Sequence, residues 1–132
     1  MVMDAATDLR GLTLTVTERC NLRCSYCHAR QSARTMSTDV ADAAVDLLMR
    51  TAADTVSLSF YGGEPFLEPA LLGRVLSRAR QQARPGQQIR CVTPTNGLLL
   101  DAAALALCRE HGISLAVSID GRRRRHWRRL HR

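Results

Sequence analysis

With 132 residues, 45% of them hydrophobic and 23% charged, the chain has the makeup of one folded domain that buries about two thirds of its unfolded surface. Aromatics at 4% force the core onto Leu, Val, Ile and Ala; no apolar run reaches the length of a membrane span, and Met1 to Asp8 carries acids instead of a basic leader, so the chain reads as cytoplasmic. The net charge of +7 sits in Arg122 to Arg132, which holds seven arginines and no acid; the other twelve bases are matched by twelve acids, which excludes a basic nucleic-acid groove spread over the body.

Leu12 to Thr17 alternates Leu, Thr, Leu, Thr, Val, Thr, the period-2 pattern of a strand. Cys20, Cys24 and Cys27 follow at once, and a polar connection runs from His28 to Met36. Ser37 and Thr38 offer a helix N-cap with Asp39 in the first turn, and Ala41, Ala44, Val45, Leu48, Met49 and Ala52 recur at helical spacing. Val56 to Phe60 is a second strand, ended by Tyr61-Gly62-Gly63-Glu64-Pro65, where two glycines and a proline stop regular structure.

Glu68-Pro69 starts a second helix whose stripe is Leu72, Val75, Leu76, Ala79 and Ala83, closed by Pro85-Gly86. Ile89 to Thr93 is the third strand, broken at Pro94 and followed by the turn Thr95-Asn96-Gly97. Asp101 caps an alanine-rich helix that ends near His111, with Gly112 in the left-handed position, and Ile113 to Ile119 is the fourth strand, running into Ser118-Ile119-Asp120-Gly121. The order β-α-β-α-β-α-β with short connections predicts an α/β fold of parallel strands with right-handed crossovers, whose strand ends gather every unusual loop on one rim.

Five cysteines, an odd number with three clustered, argue against a disulfide framework. Cys91 and Cys108 read as small buried residues. Three soft thiolates spaced C-x3-C-x2-C favour an open iron-sulfur cluster, with one coordination position left free, over a zinc ion for which the adjacent His28 could be a fourth ligand.

The run Cys20-Asn21-Leu22-Arg23-Cys24-Ser25-Tyr26-Cys27, with Gly62-Gly63-Glu64-Pro65 at the end of the second strand, resembles the radical S-adenosylmethionine (SAM) superfamily. Phe60-Tyr61 and Ser118-Ile119-Asp120-Gly121 are similar to the branch of anaerobic sulfatase-maturing and peptide-modifying enzymes. The resemblance implies that Cys20, Cys24 and Cys27 hold a 4Fe-4S cluster that chelates and cleaves SAM to a 5'-deoxyadenosyl radical for hydrogen abstraction. It further implies that backbone exposed by Gly62 and Gly63, together with Glu64, receives the SAM ammonium group, with Pro65 in the same cofactor-binding loop, that Tyr26 lies near the adenine, that Asn96 lines the pocket, and that Ser118 and Asp120 lie near the ribose or carboxylate. A peptide or protein substrate and an electron donor of flavodoxin or ferredoxin type belong to the same expectation, with no membrane partner.

The family's partial (β/α) barrel has six strands, whereas this reading finds four, in residues 1–121. The expectation is therefore a core truncated after strand four, followed by an Arg-rich tail, residues 122–132, that is disordered or out of frame. Two alternatives stay open: a non-catalytic remnant or split half that needs a partner chain, and a small module binding zinc or, through its tail, nucleic acid.

Overall fold

The alternation of threonine with leucine and valine in the first strand becomes a difference between two faces of a sheet. In the computed structural model, which describes residues 8–120, β1 (Gly11–Thr17) turns Leu14 and Val16 into the core and leaves Thr13 and Thr15 exposed. The second strand, β2 (Thr55–Gly62), buries Val56, Leu58 and Phe60 on that side and exposes Ser57 and Tyr61 on the other. Two further strands, β3 (Gln88–Thr95) and β4 (Ile113–Val117), complete a parallel sheet in the order β1-β2-β3-β4. Each strand is linked to the next through a helix: α1 (Thr38–Met49), α2 (Pro69–Gln82) and α3 (Ala102–His111). The predicted element order and α/β class are those observed, and one face of the sheet is helix-covered as in part of a (β/α) barrel.

The capping residues act as their chemistry dictates. The Ser37 side chain accepts from Val40 N at 3.2 Å and Asp101 from Ala104 N at 2.8 Å, while Gly112 closes α3 at φ 66°. Phe60, Leu48, Leu58, Leu72 and Leu76, with Val45, Val56 and Val75, form the centre of the core between helices and sheet. Cys91 and Cys108 are buried in the same cluster, as expected, and burial pushes both thiols up from their ordinary pKa.

Three strand ends and one turn differ from the sequence reading. β2 runs on through Tyr61 to Gly62, past the end expected at Phe60. β3 is not broken at Pro94: it runs to Thr95, with Pro94 paired to Ala116. A residue without an N–H fits there because the β2 ladder has already ended at Ser59↔Val92, so the strand is paired on one side only. β4 stops at Val117, which leaves Ser118 to Asp120 outside the ladder. A 3-10 turn, Pro65–Leu67, which no periodicity announces, follows the two glycines. The Arg-rich tail lies outside the described residues.

Helices α1 and α2 are clasped by charge. The Arg74 guanidinium donates to both oxygens of Asp42 at 2.9 and 2.6 Å, and Arg78 to both of Asp46 at 2.8 Å, with Gln82 adding a third bond to Asp46 at 2.6 Å. The Arg78 and Gln82 hydrogen bonds lower the Asp46 carboxyl to about 2 from 3.8, and Arg74 lowers Asp42. A depressed carboxyl stabilises the fold above its unfolded pKa and loses that contribution as pH falls through the folded value. Acid unfolding is therefore expected to show a component between pH 3.8 and about 2 that Asp46→Asn removes; a wild-type stability profile flat across that window would refute it.

Candidate functional site

The loop between β1 and α1 is closed at its base by its own return segment. Thr17 and Thr35 form an antiparallel bridge, Glu18 N donates to Arg34 O at 2.8 Å, and Met36 N donates to Val16 O at 2.8 Å. The Thr17 hydroxyl also donates to Arg34 O and the Ser32 hydroxyl to Glu18. The stretch read as a mere polar connection thus doubles back onto β1 and holds Cys20 to Cys27 over the strand ends. Inside the loop Leu22 is buried and its N–H donates to Cys20 Sγ at 3.4 Å, and Cys27 N bonds Cys24 O at 3.1 Å, so the segment is a series of turns and not a helix.

Gly62, the last residue of β2, and Gly63 after it carry that strand's contacts onto the cysteine loop. Gly63 N donates to Thr17 O and Glu64 N to Arg19 O, both at 2.9 Å. A Cβ at Gly62 would stand 1.9 Å from Thr17 O, and one at Gly63 2.0 Å from Arg19 O; Gly62 also has φ 131°. Only residues without side chains allow this approach.

Glu64 is 1% exposed, and its carboxylate points inward. Oε1 accepts from Phe66 N at 3.2 Å and from the Thr95 hydroxyl at 2.8 Å, and Oε2 accepts from Asn96 N at 2.9 Å. Asn96 in turn donates through Nδ2 to Asn21 Oδ1 at 2.7 Å, and its own Oδ1 accepts from Leu98 N in a turn closed by Gly97 at φ 81°. Loops after β1, β2 and β3 are thereby tied into one unit. The sequence reading named Glu64 and Asn96 but missed Thr95 and Asn21 as their partners, because pairs 31 and 75 residues apart leave no local signal.

These loops enclose a cavity of about 240 Å3. Cys20, Cys24 and Cys27 all border it, together with Tyr26 and His28 from the same loop. Gly62, Gly63, Glu64 and Pro65 line it from the end of β2, Asn96 from the end of β3 and Ser118 from the end of β4; Tyr61, Pro94 and Thr95, from the stretches beside the Gly-Gly-Glu-Pro and Thr-Asn-Gly motifs, line it too. Asp120 reaches the cavity through Tyr26, whose hydroxyl donates to both its carboxylate oxygens. Burial pushes the Cys20 thiol up, an effect the Leu22 N–H partly offsets and the nearby Glu64, Cys24 and Cys27 reinforce. Arg19 is exposed and pairs with Glu68 at 3.5 Å, a surface charge.

Whether these residues fit a cluster is a matter of donor placement. A zinc ion draws its ligands to about 2.3 Å from one point, and among the described residues no three His, Cys, Asp or Glu side chains come close enough to hold a single ion. A cubane cluster takes each thiolate on a different iron, and three thiols bordering one cavity are the donor set it needs.

The family model described as the radical SAM superfamily matches residues 14–132. The chain belongs to that superfamily. Among curated relatives of this radical SAM protein, the GTP 3',8-cyclase of Corynebacterium glutamicum is 32% identical over 117 residues, covering 84% of this chain and 31% of the relative. That of Streptomyces coelicolor is 33% identical over 120 residues, covering 87% and 33%. Among solved structures, native anSMEcpe with bound AdoMet superposes with a TM-score of 0.79 at 26% identity, covering 89% of this chain and 34% of the other. Native anSMEcpe with bound AdoMet and Kp18Cys peptide does so with a TM-score of 0.79 at 26%, covering 88% and 33%. The chain thus spans about a third of the length of the proteins it matches. Among the described residues no helix is long and apolar enough to cross a membrane.

Proposed function

We propose that residues 1–121 form the cluster- and SAM-binding portion of a radical SAM enzyme core, with Cys20, Cys24 and Cys27 as the ligands of a 4Fe-4S cluster. The observation that carries this reading is that all three thiols border the same cavity as the Gly62-Gly63-Glu64-Pro65 loop. When bound, the cluster supplies the electron that splits SAM into methionine and a 5'-deoxyadenosyl radical able to abstract hydrogen from a substrate. The chain's own part is binding and orientation. Backbone bared by Gly62 and Gly63 receives the SAM ammonium group; Glu64, with its carboxylate spent on Phe66, Thr95 and Asn96, serves by holding that backbone in place. Pro65 and Asn96 close the wall, Tyr26 offers its ring to the adenine, and Ser118 with Asp120 faces the ribose or carboxylate.

For the substrate we favour a peptide or protein, with a flavodoxin- or ferredoxin-type electron donor and a cytoplasmic setting. Support comes from the likeness to anSMEcpe with a bound peptide. A nucleotide substrate is the second reading, favoured by the identity to GTP 3',8-cyclases. Anaerobic reconstitution with iron and sulfide, then reduction in the presence of SAM, should yield an iron-sulfur absorption and 5'-deoxyadenosine; adding a cysteine-containing peptide or GTP in parallel separates the two substrate classes. Cluster without deoxyadenosine points to a portion that needs a partner chain. Stoichiometric zinc with no iron would sink the proposal.

A further inference from the structure

The alternation that sends Leu14, Val16, Leu58 and Phe60 into the helix-covered core sends their neighbours to the other face of the sheet. There the strand registers set residues in rows: Gly11, Ser57 and Arg90 lie side by side, then Thr13, Ser59 and Val92, then Thr15 and Tyr61. Thr13, Ser57, Arg90 and Val92 are exposed. The first two rows border a depression of about 320 Å3. Of the strand residues on this face only Arg90 is charged. Among the described residues its guanidinium has no ion pair or hydrogen bond, whereas Arg74, Arg78, Arg80 and Arg84 each bond a carboxylate or carbonyl. The Thr13, Ser57 and Ser59 hydroxyls beside it are likewise without protein partners among those residues. An unpaired guanidinium offers a planar pair of N–H groups that matches one carboxylate, and a hydroxyl adds a donor where it is needed.

The same face runs up to the cavity. Tyr61 follows Ser57 and Ser59 along β2, Pro94 lies four residues beyond Arg90 on β3, and both Tyr61 and Pro94 line the cavity that the three cysteines border. At about 3.3 Å per strand residue, Arg90 stands roughly 13 Å from that end of the sheet. We infer that Arg90 holds a carboxylate of the substrate on this open face, resting on the proposed reading of the cavity as the reaction site. An extended peptide has nearly the same rise as the strand beneath it, so the substrate is a peptide whose acidic group lies about four residues from the one that enters the cavity. A nucleoside triphosphate suits the face less well, because its several negative charges would meet one guanidinium and neutral hydroxyls. Arg90 is a positioning residue: it acts on binding and placement and touches none of the reacting atoms.

The probes are two acetylated, amidated peptides, Glu-Ala-Ala-Ala-Cys-Ala-Ala-Ala-Glu and its twin with Gln for Glu, titrated by calorimetry into the anaerobically reconstituted chain with SAM. Wild type should bind the glutamate peptide about five- to tenfold more tightly than its twin, the size of one charge-assisted contact open to water. Arg90→Gln should bring the two peptides level. Arg90→Lys should keep part of the difference, since the charge remains without the planar fork. Ser57→Asp, which sets a carboxylate beside Arg90 in the strand register, should abolish the preference with Arg90 intact. These positions are exposed, so all three variants should unfold in urea like wild type. Equal affinity of wild type for the two peptides, no binding of the glutamate peptide at millimolar concentration, or a preference that survives Arg90→Gln overturns the inference. GTP bound by wild type and lost in Arg90→Gln would make the anion a phosphate and overturn the peptide carboxylate. Iron content and 5'-deoxyadenosine, read on the same samples, report on the cavity alone, so a failed SAM site and a failed Arg90 contact give different results.

Discussion

Replacing any one of Cys20, Cys24 and Cys27 by Ser is expected to cut the iron held after reconstitution from about four per chain to well under one and to abolish the visible iron-sulfur absorption. SAM cleavage should fall by more than about 100-fold, beyond the range seen when only a supporting partner of a metal ligand is lost. The basis is that the three thiols border one cavity, while the other two cysteines, Cys91 and Cys108, are buried in the core, 3% and 7% exposed. Cys91→Ala and Cys108→Ala should accordingly keep the iron and lose only some stability. Iron analysis and absorption spectra on the five variants check this, and a Cys24→Ser protein with full iron would overturn the ligand assignment.

Glu64→Ala is expected to be the most damaging change outside the cysteines. It strands three donors, Phe66 N, the Thr95 hydroxyl and Asn96 N, at a site 1% exposed. Each buried group left without a partner costs about 1–3 kcal/mol, so a total loss of ~3 kcal/mol or more is expected, a large part of a small domain's stability. The damage should spread, because the Asn96 backbone that Glu64 holds also presents Nδ2 to Asn21 in the cysteine loop. Glu64→Gln keeps the shape but turns an amide donor toward at least one of those donors, and should fall between wild type and Ala. Urea unfolding measures the stability, and iron content measured well below the unfolding midpoint reports on the loop. If Glu64→Ala proved as stable as wild type, the inward-facing carboxylate would have to be abandoned.

Much of this protein is legible along the chain because its signals repeat over a few residues. The Leu-Thr alternation of β1, the stripe Ala41, Val45, Leu48 and Met49 of α1, and the caps Ser37, Asp101 and Gly112 each depend on neighbours within about one turn or one pleat, and the structure has them where the pattern puts them. The cysteine spacing and the Gly-Gly-Glu-Pro run are equally local, and they are enough to name a superfamily. Pro94 misled because its cost depends on whether a neighbouring strand needs its N–H, and β2 has already diverged at that point.

The working details of the site belong to the tertiary structure. Gly62 and Gly63 read as turn residues, yet the reason they cannot carry a side chain is the carbonyl of Thr17 or Arg19 at about 2 Å from where a Cβ would be. Glu64 reads as a loop residue facing the SAM ammonium group, yet its carboxylate is buried and bonded to the next strand. Tyr26 and Asp120 carry no mutual signal across 94 residues and meet only because the fold brings the segments after β1 and β4 together. Hydrogen bonds and steric contacts act through space over a few ångströms, so residues far apart in the chain acquire partners only when the strand order places their loops side by side. The cysteines and glycines announce the chemistry, and the packing of four strand ends decides which atoms face the cavity.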